Sequence, residues 1–203
     1  MLVETVVDTL NLKAALVAIA RCFEDHGVRV PVIASGAFNE GGVTFVSSQS
    51  VEAFLYAVSH FPLFAISMNC ALGPIQMRPH LEEMQRLAPM PVCCYPNAGL
   101  PNEMGQYDLS PEAMGKLMGE FAASGWLNLA GGCCGTTPAH IGAIIENVRG
   151  KRPRQPPKPD PLLRLSGTMP FVLRPETKFV MVGERTNVSG SRAFAKLVVN
   201  NQY

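Results

Sequence analysis

The sequence predicts an α/β fold with a parallel sheet, either doubly wound or closed as a barrel. Two observations predict it. Through the first 150 residues, short apolar runs ending in polar or Gly-rich turns alternate with longer stretches of helical period. Repeated βα units of this kind lay their strands parallel. The apolar runs are also continuous rather than alternating, as strands buried on both faces should be. The composition permits a packed core and excludes wholesale disorder: of 203 residues, 47% are hydrophobic and 16% charged.

LVET at the N-terminus reads as the tail of a strand. Residues 9–27 form the first helix, with Leu10, Leu12, Leu16, Ile19, Ala20 and Phe23 at three- and four-residue spacing and Gly27 in the C-cap position. VPVIASGAF (30–38) is the next strand, and 39–50 a long polar loop. The helix at 51–60 takes Ser50 as its N-cap and carries Glu52 in its first turn. LFAISMNC (63–70) is a strand, broken afterwards by Gly73-Pro74; 75–88 is helical; MPVCCYPNAG (90–99) is strand then turn. Helices at 110–125 and 136–150 each open with a Ser or Thr cap and a proline at the first helical position. Between them WLNLAGGCCG (126–135) runs from strand into a Gly-rich turn. No GxGxxG follows any of these strands, so a dinucleotide-binding version of the fold has no support.

Beyond residue 150 the composition changes. GKRPRQPPKPDP (150–161) holds five prolines and four basic residues and reads as an extended linker. Residues 162–178 are ambiguous between strand and loop. Residues 178–200 open a new strand–turn–helix that stops almost at once. The chain is therefore expected to begin inside one βα repeat and to end inside a further domain. A complete (β/α)8 barrel takes about 250 residues.

Charge and segment type exclude several classes. Seventeen basic against sixteen acidic residues give a net charge of +1, which offers no attraction to nucleic acid or an anionic membrane. No window of about 20 residues is apolar enough to span a bilayer. MLVETVVDTLNLK lacks the basic start of a secretory signal, so a cytoplasmic protein is expected. In that compartment the six cysteines read as buried thiols, metal ligands or redox groups rather than a disulfide framework.

In parallel α/β folds the chemistry lies at the C-terminal ends of the strands. Cys70 ends one strand, and Cys133 and Cys134 follow another. Neighbouring residues in an extended strand face opposite ways. The glycines of GGCCG relax that restriction by adopting backbone angles closed to other residues. Both sulfurs can then converge, and a third thiol from another strand end completes a three-sulfur cup. Three thiolates suit Zn²⁺, with an open fourth position for a substrate thiol. Held as thiolate there, that sulfur can attack an activated carbon. A redox pair at Cys133–Cys134 and inert buried thiols remain alternatives at this point. Cys22, Cys93 and Cys94 read as core.

Glu4 reads as a strand-end acid able to hold a substrate ammonium, or as an ordinary exposed acid beside Asp8 at the helix start. Asn97 in PNAG reads as a substrate contact or as a turn-forming Asn ahead of Gly99. His26, His60, His80 and His140 lie on helices or at their ends and read as surface or capping residues.

GGCCGTTPAHI (131–141) resembles the signature of zinc-dependent homocysteine S-methyltransferases, and MNCALGP (68–74) resembles that family's other zinc-ligand segment. LVETVVDTLNLKAA (2–15) and YPNAGLPNEMGQYD (95–108) are similar to the homocysteine-binding module of its cobalamin-dependent branch, the methionine synthases. VGERTNVSGSRAFAKL (182–197) is similar to the opening of their pterin-binding module. The resemblance implies a fold: residues 1–149 as the C-terminal half of a (β/α)8 TIM-type barrel, 150–178 as linker, and 179–203 as the first strand and start of a second α/β barrel. It also implies an activity. Homocysteine would take a methyl group from methylcobalamin, giving methionine, and methyltetrahydrofolate would re-methylate the cobalamin on another module.

By position the resemblance makes Cys70, Cys133 and Cys134 the ligands of one Zn²⁺. It makes Glu4 the acid that holds the homocysteine amino group, Asn97 a substrate contact and Asn187, in GERTN (183–187), a pterin contact. Cys93 and Cys94 match no family ligand. Relatives using betaine or S-methylmethionine share the zinc motif without the second module, and a non-catalytic zinc-binding fragment is the other alternative. Phe45-Val46-Ser47-Ser48 departs from the family's usual loop pattern. Half a barrel is expected to expose strand edges and an apolar inner face.

Overall fold

A computed structural model describes residues 1–181 and 188–202. The chain divides into two compact units, Met1–Val172 and Leu173–Tyr203.

The first unit is built on five parallel strands in sequential order: β1 (Leu2–Val6), β2 (Ile33–Gly36), β3 (Ala65–Asn69), β4 (Val92–Tyr95) and β5 (Leu129–Ala130). Each is followed by a helix: α1 (Thr9–His26), α2 (Val51–Val58), α3 (Pro74–Leu87), α4 (Pro111–Ala123) and α5 (Pro138–Val148). This is the αβ alternation that the sequence predicts, with strands trimmed at both ends. The run 30–38 keeps only four residues as β2, and 126–135 only two as β5.

The helix ends follow their local chemistry. Asp8 caps α1 by accepting the Leu10 N–H, and Gly27 ends it at φ 65°, a left-handed conformation that favours glycine. Ser50 and Ser110 accept the Ala53 and Ala113 N–H groups. Thr137 and His140 cap α5 together. On α1 the buried stripe is Thr9, Leu12, Leu16 and Ile19; Leu10, read as part of it, faces solvent.

Strand register sorts the two sheet faces. Ala34, Ile66 and Val92 align, as do Met68 and Cys94, and all belong to the apolar core with Leu12, Leu16, Phe54, Leu81, Met114, Met118 and Phe121 from the helices. Alternation puts Ser35, Ser67, Asn69 and Cys93 on the opposite face, all fully buried. The centre of that face is small and polar, against the expected apolar inner face.

The ambiguous segment 162–178 contains a two-stranded sheet, β6 (Leu163–Ser166) and β7 (Pro170–Leu173). It docks on α2: Ser166 donates to the Ala53 carbonyl at 2.6 Å, and Gln49 Nε2 donates to the Gly167 carbonyl at 2.9 Å. Residues 151–160 have no helix or strand, yet Arg154 is 3% exposed. Its guanidinium donates to the Gln85, Ala88 and Met90 carbonyls, where α3 ends. It thereby satisfies carbonyls that a helix C-terminus leaves without partners. The Arg154 amide donates to Leu127, and Asn128 Nδ2 donates to the Arg154 carbonyl.

In the second unit α6 (Arg192–Val199) is capped by Ser191, which accepts the Phe194 N–H at 3.2 Å. Residues 178–181 carry no strand. GERTN and the expected pterin contact Asn187 lie outside the described residues. Among the described residues no helix is long and apolar enough to cross a membrane.

Candidate metal centre

Cys70 follows β3 directly and stands at φ 62°, with Ala71 at φ 60°. Two consecutive left-handed residues that are not glycine cost on the order of 1–3 kcal/mol each. They turn the chain sharply off the strand end, and Leu72 N–H closes back on the Cys70 carbonyl at 2.7 Å. Cys133 and Cys134 lie past β5, where Thr136 N–H and its hydroxyl both reach the Cys133 carbonyl, at 3.2 and 2.7 Å. Vicinal thiols converge because they sit in a turn, where strand alternation no longer applies.

The glycines act differently from the sequence expectation. Gly131 and Gly132 do not have positive φ; only Gly135 of the motif does, at 76°. A Cβ on Gly131 would lie 2.7 Å from the Tyr95 ring, and one on Gly132 would lie 2.4 Å from the Thr136 methyl. They are needed for close approach rather than for unusual backbone angles.

The segment after β4 clamps both cysteine loops. The Tyr95 carbonyl accepts the Cys70 N–H at 3.3 Å, and the Pro96 carbonyl accepts the Cys133 N–H at 2.8 Å. Ala98 N–H donates to the Cys134 carbonyl at 2.9 Å. Asn97 serves both sides: its N–H donates to Leu72 O at 3.0 Å, and its Oδ1 accepts the Cys134 N–H at 3.1 Å.

The outcome is a three-sulfur cup. Cys70 Sγ is 3.6 Å and Cys133 Sγ 4.0 Å from Cys134 Sγ. All three sulfurs lie within 4.8 Å of one another. Zinc–sulfur bonds of about 2.3 Å in a tetrahedron place sulfurs about 3.8 Å apart, so the observed separations fit that ion. The thiols are free and half-buried, and three soft donors leave a fourth position for an incoming ligand.

Electrostatics favours the protonated Cys70 thiol when no cation is bound. Burial pushes the Cys70 thiol up to about 11, and Cys134 and Cys133 push the same way, while the Ala71 N–H opposes them. The Tyr107 phenol is raised as well, by desolvation first and then by its hydrogen bond with Cys134. A divalent ion reverses this balance, because a coordinating thiol is deprotonated outright.

The other candidate residues fall variously. Glu4 lies within β1 rather than at its end, exposed, just before Thr5 at φ 56°. Its charge is felt at Tyr95, whose phenol is held up first by burial and then by Cys93, with Glu4 the smallest contributor. Asn97 is 2% exposed and adjoins the cup. Cys94 is fully buried in the apolar core and Cys93 is fully buried on the opposite face of the sheet, and neither belongs to the three-sulfur group. Cys22 is exposed on α1, beside His26, which bonds the Cys22 carbonyl. His80 bonds the Glu40 carbonyl. His140 is a capping residue but is buried: Nδ1 accepts from Thr137, and Nε2 reaches Leu109 O at 2.8 Å.

Two neighbours of the cup escape sequence reading. Asn69 donates toward Cys133 Sγ at 3.8 Å, and Tyr107 packs on Gly135 beside Cys134. The available signal for Asn69 is an amide ending an otherwise apolar buried strand. Tyr107 sits in a loop, and its only signal is its place in the segment 95–108 that carries the family resemblance.

The cup therefore joins two loops from different strands into one three-sulfur cluster able to hold a metal ion at the C-terminal edge of a parallel sheet. The family model for homocysteine S-methyltransferase matches residues 1–148. That match spans β1 to α5 and contains all three cysteines of the cup. The chain belongs to the homocysteine S-methyltransferase family.

Proposed function

We propose that this chain carries the homocysteine-activating centre of a cobalamin-dependent methionine synthase. Cys70, Cys133 and Cys134 would hold one Zn²⁺, leaving a position for the homocysteine sulfur. The observation that carries this reading is the convergence of three sulfurs, within 4.8 Å, from loops on two different strands. Zn²⁺ so held would lower the pKa of the substrate thiol and keep it anionic at neutral pH.

The chain's own residues do the rest. Asn97 and the 95–98 backbone keep the two cysteine loops in register. Glu4 attracts the substrate ammonium from its exposed position on β1. Asn97 adds a polar contact to the amino acid. Tyr107 adds a hydrogen bond to Cys134. No side chain need act as general base, because Zn²⁺ would lower the thiol pKa enough for its proton to pass to solvent. Methylcobalamin, held on another module and restored by methyltetrahydrofolate, would supply the methyl group to the homocysteine sulfur.

The domain limits follow the same reading: 1–149 for the homocysteine module, 150–178 for a linker, and 179–203, with Asn187, for the start of a pterin module. A cytoplasmic location accords with it.

The test is the zinc content of the anaerobically purified chain, with and without homocysteine, followed by methyl transfer from methylcobalamin. About one zinc per chain and product methionine are expected. A folded chain that holds no zinc but shows a reversible two-electron thiol couple would replace this reading with a redox one. Zinc binding with no methyl transfer would leave a non-catalytic zinc-binding fragment. Transfer from betaine or S-methylmethionine instead would change the donor.

A further inference from the structure

Asn69 is fully buried at the end of β3, and every hydrogen-bonding position of its amide is used. Oδ1 accepts the Thr5 N–H at 2.9 Å and the Ser35 hydroxyl at 2.7 Å. Nδ2 donates to Thr5 Oγ1 at 2.9 Å and toward Cys133 Sγ at 3.8 Å. The amide orientation is fixed by chemistry, since the Thr5 N–H requires an oxygen. One side chain thus ties β1, β2 and β3 to a cysteine 64 residues further along the chain.

The β1 end of this network is unusual. Thr5 is β-branched yet stands at φ 56°, where the β1–β2 register is irregular between Val3 and Val6. A β-branched residue rarely adopts that region. Asn69 grips Thr5 at both its N–H and its hydroxyl, so the bend is held in place by the amide. Glu4 immediately precedes it. The cup and the segment carrying the candidate ammonium-binding acid are therefore joined by one buried group.

We infer that Asn69 is a positioning residue that sets Cys133 and the Glu4–Thr5 bend in a common frame, so that the metal and the amino-acid end of the substrate are bound in register. Its N–H toward the sulfur stabilises the thiolate without adding a charge, as outer hydrogen bonds to metal ligands do. This role rests on the zinc and homocysteine reading above.

The test loads the full chain with Co²⁺, whose thiolate charge-transfer band reports the cup directly, and titrates it with homocysteine. Asn69→Asp keeps the shape and the acceptor for Thr5 but removes both N–H donors. It should retain three thiolate ligands, shift the band energy, lower metal affinity about 10–100-fold and raise the homocysteine midpoint. Wild-type band position, metal affinity and homocysteine midpoint in Asn69→Asp would overturn the role while leaving the zinc reading intact. A wild-type chain with no thiolate band would overturn the zinc reading and this role with it.

Should Asn69→Asp fail to fold, Thr5→Val decides, because it leaves the bond to Cys133 in place. The band and metal affinity should then be unchanged and the homocysteine midpoint raised several-fold, with Thr5→Ser restoring it. An unchanged midpoint in Thr5→Val would overturn the shared frame.

Discussion

Cys70 Sγ lies 3.6 Å from Cys134 Sγ, although 64 positions separate them in the chain. The backbone of residues 95–98 receives or supplies a hydrogen bond from Cys70, Cys133 and Cys134 in turn. The cup is thus built by a third strand end that contributes no ligand.

Replacing Cys70 by Ser should abolish stoichiometric zinc binding, because a hydroxyl is a poor substitute for a thiolate toward Zn²⁺. Replacing the buried Cys93 by Ser should leave about one zinc per chain. Metal analysis after gel filtration reads both, and zinc retained in Cys70→Ser would remove that residue from the ligand set.

Gly131→Ala should weaken the centre. The new methyl would sit 2.7 Å from the Tyr95 ring, and the Tyr95 carbonyl holds the Cys70 amide. Overpacking of this kind costs about 1–3 kcal/mol. A lower melting temperature together with a weaker zinc affinity is expected; an unchanged affinity would show that Tyr95 moves without disturbing Cys70.

Arg154→Ala should destabilise the first unit by roughly 1.5–3 kcal/mol, the range for hydrogen bonds to a charged group. Burial draws the arginine pKa down, but the guanidinium keeps its proton against the carbonyls at the end of α3. The exposed neighbour Arg152 provides the control, and its Ala variant should fall within about 0.5 kcal/mol of wild type. Urea unfolding compares the two.

Alkaline pH should destabilise the metal-free chain through Cys93. Burial raises its thiol from 9.0 to about 11, so the native state holds the proton more tightly than the unfolded state. That stabilisation is complete below pH 9 and is lost as pH rises through about 11. At about 1.4 kcal/mol per pH unit, the loss approaches 3 kcal/mol. Melting curves from pH 8 to 11 should show the decline, to which the raised Cys70 and Cys94 thiols also contribute, and Cys93→Ala should make it shallower.

Much of this was legible in the residue order. Continuous apolar runs marked β2, β3 and β4, and Ser50, Ser110 and Thr137 marked the helix starts, because both signals are local. Cys70, Cys133 and Cys134 could be singled out for the same reason: each follows a strand, where parallel folds place their chemistry. The stop signals were also local, as at Gly27.

The identity of the three thiols, the βα rhythm and the family were therefore determined by the sequence alone. Tertiary structure decided how the thiols meet. The left-handed Cys70–Ala71 turn, the clamp at 95–98, the Asn69 network and the buried Arg154 all depend on hydrogen bonds between residues far apart in the chain. Asn97 could be suspected of function from its turn, but not of bridging Leu72 and Cys134. Arg154 reads as one more charge in a proline-rich stretch until the carbonyls at the end of α3 surround it. Such partners leave no periodicity or spacing behind, because each bond is satisfied only when the folded chain brings its donor and acceptor together.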